Sequence, residues 1–321
     1  MKHEIMIALI LGFLLDCLLG DPRNIPHPVV LMGKLISLLE KAFRKICPKT
    51  VRGENLAGLC IWLVTVAVSF CIPFGLLKLA GLVSPWLRVA LQSIFCWQVL
   101  AANGLKKESM KVYTALKTGT IQDARVAVSM IVGRDTQELD ADAVTRAAVE
   151  TVAENCSDGV IAPMLYFALG GGPLAFAYKA VNTMDSMLGY VEMPYKNIGL
   201  VPAKLDDVFN YLPARLSALL MLAAGALEGL NVPNGWKIWR RDRRNHASPN
   251  SAQTESVCAG LLGLRLAGDA CYHGVLHKKP YIGDPLREIE YEDIPRACRL
   301  MYGTALLSML LFAGLRLFIV L

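Results

Sequence analysis

The chain has 321 residues, of which 54% are hydrophobic and only 19% are charged, and its mean hydropathy is +0.42. Soluble domains carry about 25% charged residues, so this composition excludes an ordinary soluble enzyme, a disordered chain and a small disulfide scaffold. The net charge of +6 is compatible with nucleic-acid binding, but basic loops beside apolar segments give a membrane protein the same excess. We therefore expect a membrane protein without a nucleic-acid partner.

Apolar segments predict an all-α integral membrane protein with about four spans. The segments are separated by polar stretches, and the turn at 81–85 is too short to hold anything but a tight connection. Two further stretches contain glycine, proline or charge and are therefore either re-entrant or spanning, which would give six spans. The predicted spans are 5–20, 56–80, 86–102 and 301–321, and the ambiguous stretches are 160–181 and 212–230.

Basic residues predict the orientation of these spans in a multi-pass protein of the cell (inner, cytoplasmic) membrane. Lysine and arginine are concentrated in the 21–55 loop and in the long 103–300 region, whereas the 81–85 turn has none. Because cytoplasmic loops carry the excess of positive charge, both regions should face the cytoplasm and both termini should lie outside. The whole chain reads as one membrane-embedded domain, and the 103–300 region carries most of the polar motifs.

The first polar cluster follows the first span, where GDPRNIPHPVVLMG (20–33) forms an irregular, proline-rich turn. It displays Asp21 and His27 at the membrane surface, where they are candidate substrate-binding residues. The alternative is a capping turn in which Asp21 begins the next helix.

The second cluster lies in residues 132–163. Asp140 is a plausible N-cap for a helix from Ala141 to about Cys156, and Gly159 is a stop signal. A charged stripe follows one face of this helix, because its members are four residues apart. An alternative is a solvated stripe held by an Arg146–Glu150 pair. The stripe is Arg146, Glu150, Glu154 and Asp158, and Arg134 and Asn155 lie nearby.

The third and fourth clusters place polar side chains among apolar residues, where an unpaired charge is costly. In residues 178–199 they are Lys179, Asn182, Asp185 and Ser186, with a local Lys179–Asp185 pair as the alternative. In residues 203–220, Asp206 and Asn210 share one helix face with Asp207 beside them, and Arg215 follows. Carboxylate and amide oxygens suit Mg²⁺, and the alternative is N-capping by one of the two aspartates.

The fifth cluster, WKIWRRDRRNHASPNSAQTESVCAG (236–260), is rich in arginine. Guanidinium groups recognise phosphate and carboxylate through paired hydrogen bonds, although basic residues beside membrane helices also serve orientation alone. Ser248, before Pro249, suits the start of a helix that carries Glu255. The candidate residues are Arg240, Arg241, His246, Ser248 and Asn250.

Taken in order, these clusters resemble the adenosylcobinamide-phosphate synthase family of cobalamin biosynthesis. The resemblance covers about residues 20–268 through GDPRNIPHPVVLMGKLI, GRDTQELDADAVTRAAVETVAENCSDGVIAPMLYFALGG, AYKAVNTMDSMLGY, AKLDDVFNYLPARLSALL and RRDRRNHASPNSAQTE. It implies a membrane ligase that joins aminopropanol, or its O-phosphate, to a propionate carboxylate of adenosylcobyric acid. ATP is the implied co-substrate and Mg²⁺ the expected metal, and other membrane enzymes of late cobalamin assembly are expected partners.

Under this resemblance, the polar residues divide into three predicted roles. Members of the acidic sets are expected to converge on Mg²⁺-ATP. The predicted catalytic residues are Glu150, Glu154, Asp158, Lys179, Asp185 and His246. The predicted substrate- and phosphate-binding residues are Asp21, His27, Arg134, Arg146, Asn155, Asn182, Ser186, Arg215, Arg240, Arg241, Ser248 and Asn250. The predicted metal ligands are Asp206, Asp207 and Asn210.

Two other functions remain open from the residues alone. An intramembrane Mg²⁺-dependent prenyl transferase also places Asp/Asn-rich motifs on membrane helices, as NTMDS and LDDVFN faintly do. A non-catalytic corrinoid transporter or receptor is the second, with Asp16 and Arg215 on its pathway, although the chain has none of the repeated halves that transporters often show.

Overall fold

The computed structural model describes residues 3–20, 27–190, 192–272 and 274–320, with side chains to residue 318. The predicted roles of Asp21 therefore lie outside the described residues. Within them the chain is almost entirely helical, which confirms the predicted all-α class. The helices are α1 (Glu4–Leu19), α2 (Pro28–Ile46), α3 (Val51–Val83), α4 (Pro85–Val99), α5 (Ala102–Thr118), α6 (Ile121–Ser129), α7 (Ala141–Asn155), α8 (Ala162–Leu188), α9 (Leu200–Leu227), α10 (Val232–Asp242), α11 (Ser251–Leu262) and α12 (Asp293–Val320).

Four helical stretches within the described residues are long and apolar enough to cross a bilayer. They are Val51–Val83, Ala141–Leu188, Leu200–Leu227 and Asp293–Phe318. Their number equals the predicted four, but their identity differs. The predicted spans 5–20 and 86–102 correspond to helices of only 16 and 15 residues, whereas the ambiguous stretch 160–181 lies within Ala141–Leu188 and most of 212–230 lies within Leu200–Leu227.

The described residues form two compact units. Those of the first fall within Met1–Ala101, Ala162–Asn210 and Met309–Leu321, and those of the second within Ala102–Ile161 and Tyr211–Ser308.

In the first unit, small residues allow close helix packing. A Cβ at Gly12 of α1 would lie 2.3 Å from the Cβ of Cys96 on α4, so only glycine permits this approach. Ser84 separates α3 from α4 and accepts a hydrogen bond from the Trp86 N–H at 3.2 Å, which is the tight turn predicted there. The core of this unit includes Ile36, Ile61, Met184, Leu188 and Ile198.

A break interrupts α8 at the glycine run 170–172. Gly170 and Gly171 have non-helical backbone angles, and Gly171 has a φ of +67°. The Gly172 N–H beyond the break donates to Gln92 Oε1 at 2.8 Å. A side chain at Gly171 or Gly172 would collide with Gln92, so the run serves both as a break and as a close contact.

In the second unit, α7 begins as predicted, because the Asp140 side chain accepts a hydrogen bond from the Ala143 N–H at 2.8 Å. The predicted stop at Gly159 is wrong: the chain passes from α7 into a π-helical turn, Cys156–Ile161, and continues directly into α8. Gly159 lies inside this turn, where the helical hydrogen-bond pattern changes but the helix does not end.

A small β-structure, absent from the predicted elements, follows α11. Strands β1 (Leu266–Ala267) and β4 (Tyr281–Ile282) pair antiparallel, and β2 (Ala270–Tyr272) pairs antiparallel with β3 (Val275–His277). The Asp135 N–H donates to the carbonyl of Cys271 at 2.9 Å, and the Gly274 N–H donates to Asp135 Oδ2 at 2.7 Å. These bonds fix the paired strands, residues 266–282, to the loop before α7.

Candidate active site

A cavity of about 220 Å³ in the second unit is lined by many polar and charged side chains. It is bordered by the loop before α7, one face of α7, the segment after α10, α11 and the paired strands 266–282. The polar and charged residues that matter for its chemistry are Arg134, Glu150, Glu154, Asn155, His246, Glu255, Tyr272 and Lys279. It thus brings together the predicted second and fifth clusters, which are far apart in sequence.

Glu150 is held on all sides within this cavity. Its carboxylate forms an ion pair with Arg134 and accepts a hydrogen bond from the Ala267 N–H at 2.6 Å. The Glu150 side chain is only 5% exposed and that of Arg134 20%, so the pair is largely shielded from solvent. The alternative Arg146–Glu150 pair is therefore wrong, because the loop before α7 supplies the arginine instead.

Glu154 lies one helical turn further along α7 and differs from Glu150 in its contacts. It lines the same cavity and is half-buried, yet within the described residues it has no hydrogen-bond or ion-pair partner. The neighbouring Asn155 donates from Nδ2 to the Thr151 carbonyl at 3.0 Å. Glu150 is thus fixed by the protein, whereas Glu154 offers its carboxylate to whatever enters the cavity.

Burial favours the neutral forms of His246 and Glu255. Burial lowers the pKa of His246 below its ordinary value, although the negative charge of Glu154 opposes this. Burial raises the pKa of Glu255 well above its ordinary value, and the charges of Glu154 and Glu150 act in the same direction. His246 Nδ1 accepts the Ser248 N–H at 3.1 Å, so the neutral ring carries its proton on Nε2.

Lys279 is the cation that sequence reasoning missed. Its ammonium donates to the Tyr272 hydroxyl at 2.8 Å and lies 4.7 Å from the centre of that ring. The Lys279 N–H also donates to Asp269 Oδ1 at 3.1 Å. Only the pairing of β2 with β3 brings this lysine near α7, and the available signal in the sequence was the basic pair Lys278–Lys279 before Pro280.

The arginine-rich cluster is fixed to its own unit by carboxylates. Arg241 donates from Nε to Asp242 at 2.7 Å and from Nη1 to Asp284 at 3.0 Å. These contacts raise the pKa of Arg241 further above its ordinary value. Asp242 is buried and also accepts the Gly283 N–H at 2.8 Å. Arg240 is exposed, and the phosphate-binding role of both arginines stays a prediction.

Arg215 connects α9 to the segment before α11. Its guanidinium lies 3.4 Å from the centre of the Tyr211 ring and donates to Asn250 Oδ1 at 3.1 Å. Helix α11 begins at Ser251 with Asn250 as its N-cap. The helix therefore starts slightly later in the chain than the start predicted at Ser248. The Ser248 hydroxyl accepts the Asn250 N–H at 3.3 Å.

In the first unit, the third and fourth clusters meet around Asp206. Asn210 Nδ2 donates to Asp206 Oδ1 at 2.9 Å, and Asn210 Oδ1 accepts the Tyr178 hydroxyl at 2.7 Å. This confirms that Asp206 and Asn210 share a face, and Asn182 also contacts Asp206 through a side-chain hydrogen bond. Helix α9 begins at Leu200, so the alternative in which an aspartate caps it is wrong.

The remaining predicted residues lie elsewhere in the two units. His27 is the N-cap of α2 and accepts the Val29 N–H at 3.3 Å. The Ser186 hydroxyl is exposed and donates to the Asn182 carbonyl at 3.0 Å. Arg146 and Asp158 do not line the cavity of the second unit, and Lys179, Asp185 and Asp207 are half-buried in the first.

The predicted metal ligands Asp206, Asp207 and Asn210 lie within α9. No group of three or more histidine, cysteine or acidic side chains is placed to hold a metal ion in the described ranges. Around Asp206, both polar ends of the Asn210 amide are engaged within the protein. The predicted metal role of Asp206, Asp207 and Asn210 therefore stays a prediction.

Comparison with known proteins finds relatives with the same family description that match nearly the whole chain. A family model described as CobD/Cbib protein matches residues 9–301. The chain is 46% identical over 304 residues to the cobalamin biosynthesis protein CobD of Clostridium perfringens, covering 95% of this chain and 96% of that one. It is 47% identical over 300 residues to CobD of Geobacter metallireducens (94% and 93%).

A third relative, the cobalamin biosynthesis protein CbiB of Salmonella arizonae, is 42% identical over 314 residues and is covered to 97%, as is this chain. No solved structure matches the chain. Identity at this level over such coverage, together with the family match, confirms the resemblance carried by the five clusters. The chain belongs to the CobD/CbiB family.

Proposed function

We propose that this chain is the amide ligase of cobalamin biosynthesis that the resemblance implies. It joins (R)-1-amino-2-propanol or its O-phosphate to a propionate carboxylate of adenosylcobyric acid and hydrolyses ATP. The product is adenosylcobinamide or its phosphate. The observation that carries the proposal is the cavity of the second unit, where an unpartnered carboxylate, Glu154, lies among cations and neutral hydrogen-bond donors.

Amide formation from a carboxylate requires activation, most simply as an acyl phosphate. In this scheme the propionate oxygen attacks the γ-phosphorus of ATP and ADP leaves. The amine nitrogen then attacks the acyl carbon, the C–O bond to phosphate breaks, and inorganic phosphate leaves. Both steps place negative charge on phosphate oxygens and need donors and cations already in position.

Lys279 and His246 supply these groups in the proposed site. The Lys279 ammonium is held in place by Tyr272, so little reorganisation is needed to contact a phosphoryl group. Because burial favours the neutral form of His246 and its Nδ1 accepts the Ser248 N–H, the ring is proposed to donate a hydrogen bond from Nε2. Arg134 adds positive charge but is already committed to Glu150.

Glu154 is the proposed acceptor of the amine proton. A substrate ammonium must lose a proton before its nitrogen can attack, and Glu154 is the cavity carboxylate that the described residues leave unpartnered. Glu150 is unsuited to this role because its two oxygens are bound to Arg134 and the Ala267 N–H. Glu255 is unsuited because burial favours its protonated form.

The size of the cavity limits what it encloses. At about 220 Å³ it is smaller than the 300–1000 Å³ typical of sites for drug-sized ligands. It therefore accommodates the amine or the propionate end with its phosphoryl group, while the corrin ring stays outside. Mg²⁺ would arrive with ATP and keep phosphate and water ligands.

Trapping of the activated carboxylate tests the proposal. Purified protein in detergent is incubated with adenosylcobyrate, ATP and Mg²⁺ without amine, and hydroxylamine is then added. We expect a corrinoid hydroxamate by mass spectrometry and equimolar ADP, both absent without ATP. Release of pyrophosphate from a polyprenyl diphosphate would favour the prenyl transferase, and corrinoid binding without ATP consumption would favour the transporter or receptor.

A further inference from the structure

A second polar cavity, of about 260 Å³, lies in the first unit and has no part in the proposed reaction. Its charged lining consists of one acid, Glu4, and three bases, Lys78, Arg88 and Arg316. The remaining lining includes Phe74, Leu77, Gln92 and the break of α8 at Gly170 and Pro173. A cavity with excess positive charge among apolar helices requires an explanation, because like charges near apolar surface are costly without an anion.

Glu4 forms an ion pair with one of the three bases, Arg88. Arg88 donates from Nε to both oxygens of Glu4 at 2.8 Å, and the Glu4 side chain is only 7% exposed. Neither Lys78 nor Arg316 has an acidic partner within the described residues, and Lys78 instead lies 5.4 Å from the centre of the Phe74 ring. Two positive charges therefore remain for a ligand.

The cavity lies where several helices of the first unit end. Glu4 is the first residue of α1, Lys78 is near the end of α3 at Val83, and Arg88 is in the first turn of α4. Arg316 lies in the last part of α12, which ends at Val320. Helix ends of a membrane protein meet the interface between the hydrocarbon core and water, where lipid headgroups lie.

Exposed apolar side chains continue from the cavity along α3. Phe70, Ile72 and Phe74 are exposed there, by 37%, 58% and 46%, and only 22% of the most apolar part of this helix is buried. This surface suits acyl chains, while a basic cavity at its end suits a phosphate. A free anion would use the cavity but not the apolar surface.

We propose that this cavity binds the headgroup phosphate of an anionic phospholipid, with Lys78 and Arg316 as its cationic contacts. Arg88 borders the phosphate and is positioned by Glu4. The acyl chains lie against the exposed side chains of α3. The site is independent of the proposed ligase activity, and its occupancy stabilises the first unit.

Lipid titration of the full-length protein tests this site. Protein in neutral detergent is titrated with phosphatidylglycerol, with phosphatidylcholine or with inorganic phosphate, and lipid retention is read by native mass spectrometry and the Tm by scanning fluorimetry. The double variant Lys78→Gln/Arg316→Gln removes both free cations and leaves the Glu4–Arg88 pair intact. The matched control is Lys34→Gln/Lys41→Gln, which removes two exposed charges from α2 of the same unit.

We expect phosphatidylglycerol to bind the wild type in preference to phosphatidylcholine and to raise its Tm. The double variant should bind it about 30-fold more weakly, since each basic residue at an anionic lipid surface contributes about fivefold, and the control should bind normally. An equal loss of phosphatidylglycerol binding in the double variant and in the control would mean that the lipid is attracted nonspecifically, and it would overturn the proposed site. Stabilisation by inorganic phosphate alone, lost in the double variant, would assign the cavity to a free anion. If the double variant does not fold, the single variants Lys78→Gln and Arg316→Gln decide, each with about a fivefold loss expected.

Discussion

The two glutamates of α7 that line the same cavity should respond oppositely to the same substitution. Glu150→Gln leaves an acceptor for the Ala267 N–H but removes the charge that pairs with Arg134, whose side chain is 20% exposed. Breaking a buried ion pair from one side costs about 3–5 kcal/mol. Glu154→Gln changes a side chain without a partner in the described residues, so its effect on stability should stay within about 0.5 kcal/mol.

These free energies convert to measurable shifts of the Tm. Unfolding entropy is about 2.1 cal/mol/K per residue, so a chain of 321 residues loses about 4–7 °C for 3–5 kcal/mol if it melts as one unit. Glu154→Gln should shift the Tm by less than about 1 °C. Its turnover should nevertheless fall about 10²-fold or more, the usual contribution of a general base.

Scanning fluorimetry in detergent and ligation turnover, measured on the same preparations, provide the assay. The reasoning about Glu150 is refuted if Glu150→Gln melts with the wild type. The assignment of Glu154 fails if Glu154→Gln keeps wild-type turnover, or if its Tm falls as far as that of Glu150→Gln. A loss of stability without loss of turnover in the folded fraction would make Glu154 structural.

Three further substitutions test other parts of the second unit. Burial raises the folded-state pKa of Glu255 above its unfolded value. The stability tied to its protonated form is therefore complete below the unfolded pKa, about 4.3, and is lost as pH rises through the folded pKa. The Tm gain of Glu255→Gln over wild type should accordingly grow as the pH is raised above the unfolded pKa, and a gain that is the same at all pH values would contradict this. Arg241→Lys should lower the Tm, because a lysine cannot bind two carboxylates as the guanidinium does, whereas Arg240→Lys should not, and an unchanged Tm with weaker ATP binding would favour the phosphate role instead. Gly268→Ala should unfold the paired strands, because φ is +90° and the new Cβ would lie 2.4 Å from the Tyr281 ring; circular dichroism and proteolysis of the region would detect it, and a fully stable variant would contradict the geometry.

The sequence predicted those features that depend on local chemistry or on helical spacing. Asp140 begins α7 because a carboxylate at that position caps the first turn, and Asp206 and Asn210 meet because they are one turn apart. The glycine run in α8 breaks the helix because glycine at 171 adopts a positive φ. The apolar blocks predicted the helical membrane class by composition alone.

Features that depend on distant contacts were not predictable in this way. Helical spacing favours Arg146 as the partner of Glu150, but tertiary packing places Arg134 there. The strands after α11 have only two or three residues each, too few for an alternating pattern. Without them, nothing in the sequence places Lys279 beside His246. Likewise, Glu255 is recognisable only after α11 is seen to be fully buried.

The most direct test of the central claim is product formation by the purified full-length protein. The protein is incubated in detergent with adenosylcobyrate, ATP, Mg²⁺ and either aminopropanol or its O-phosphate, and the corrinoid is analysed by mass spectrometry. We expect a new amide whose mass equals adenosylcobyrate plus the amine minus water, with one ADP formed for each bond. We also expect this product to be lost without ATP and in Glu154→Gln. An unmodified corrinoid with both amines, from protein that binds the corrinoid and is folded, would contradict it.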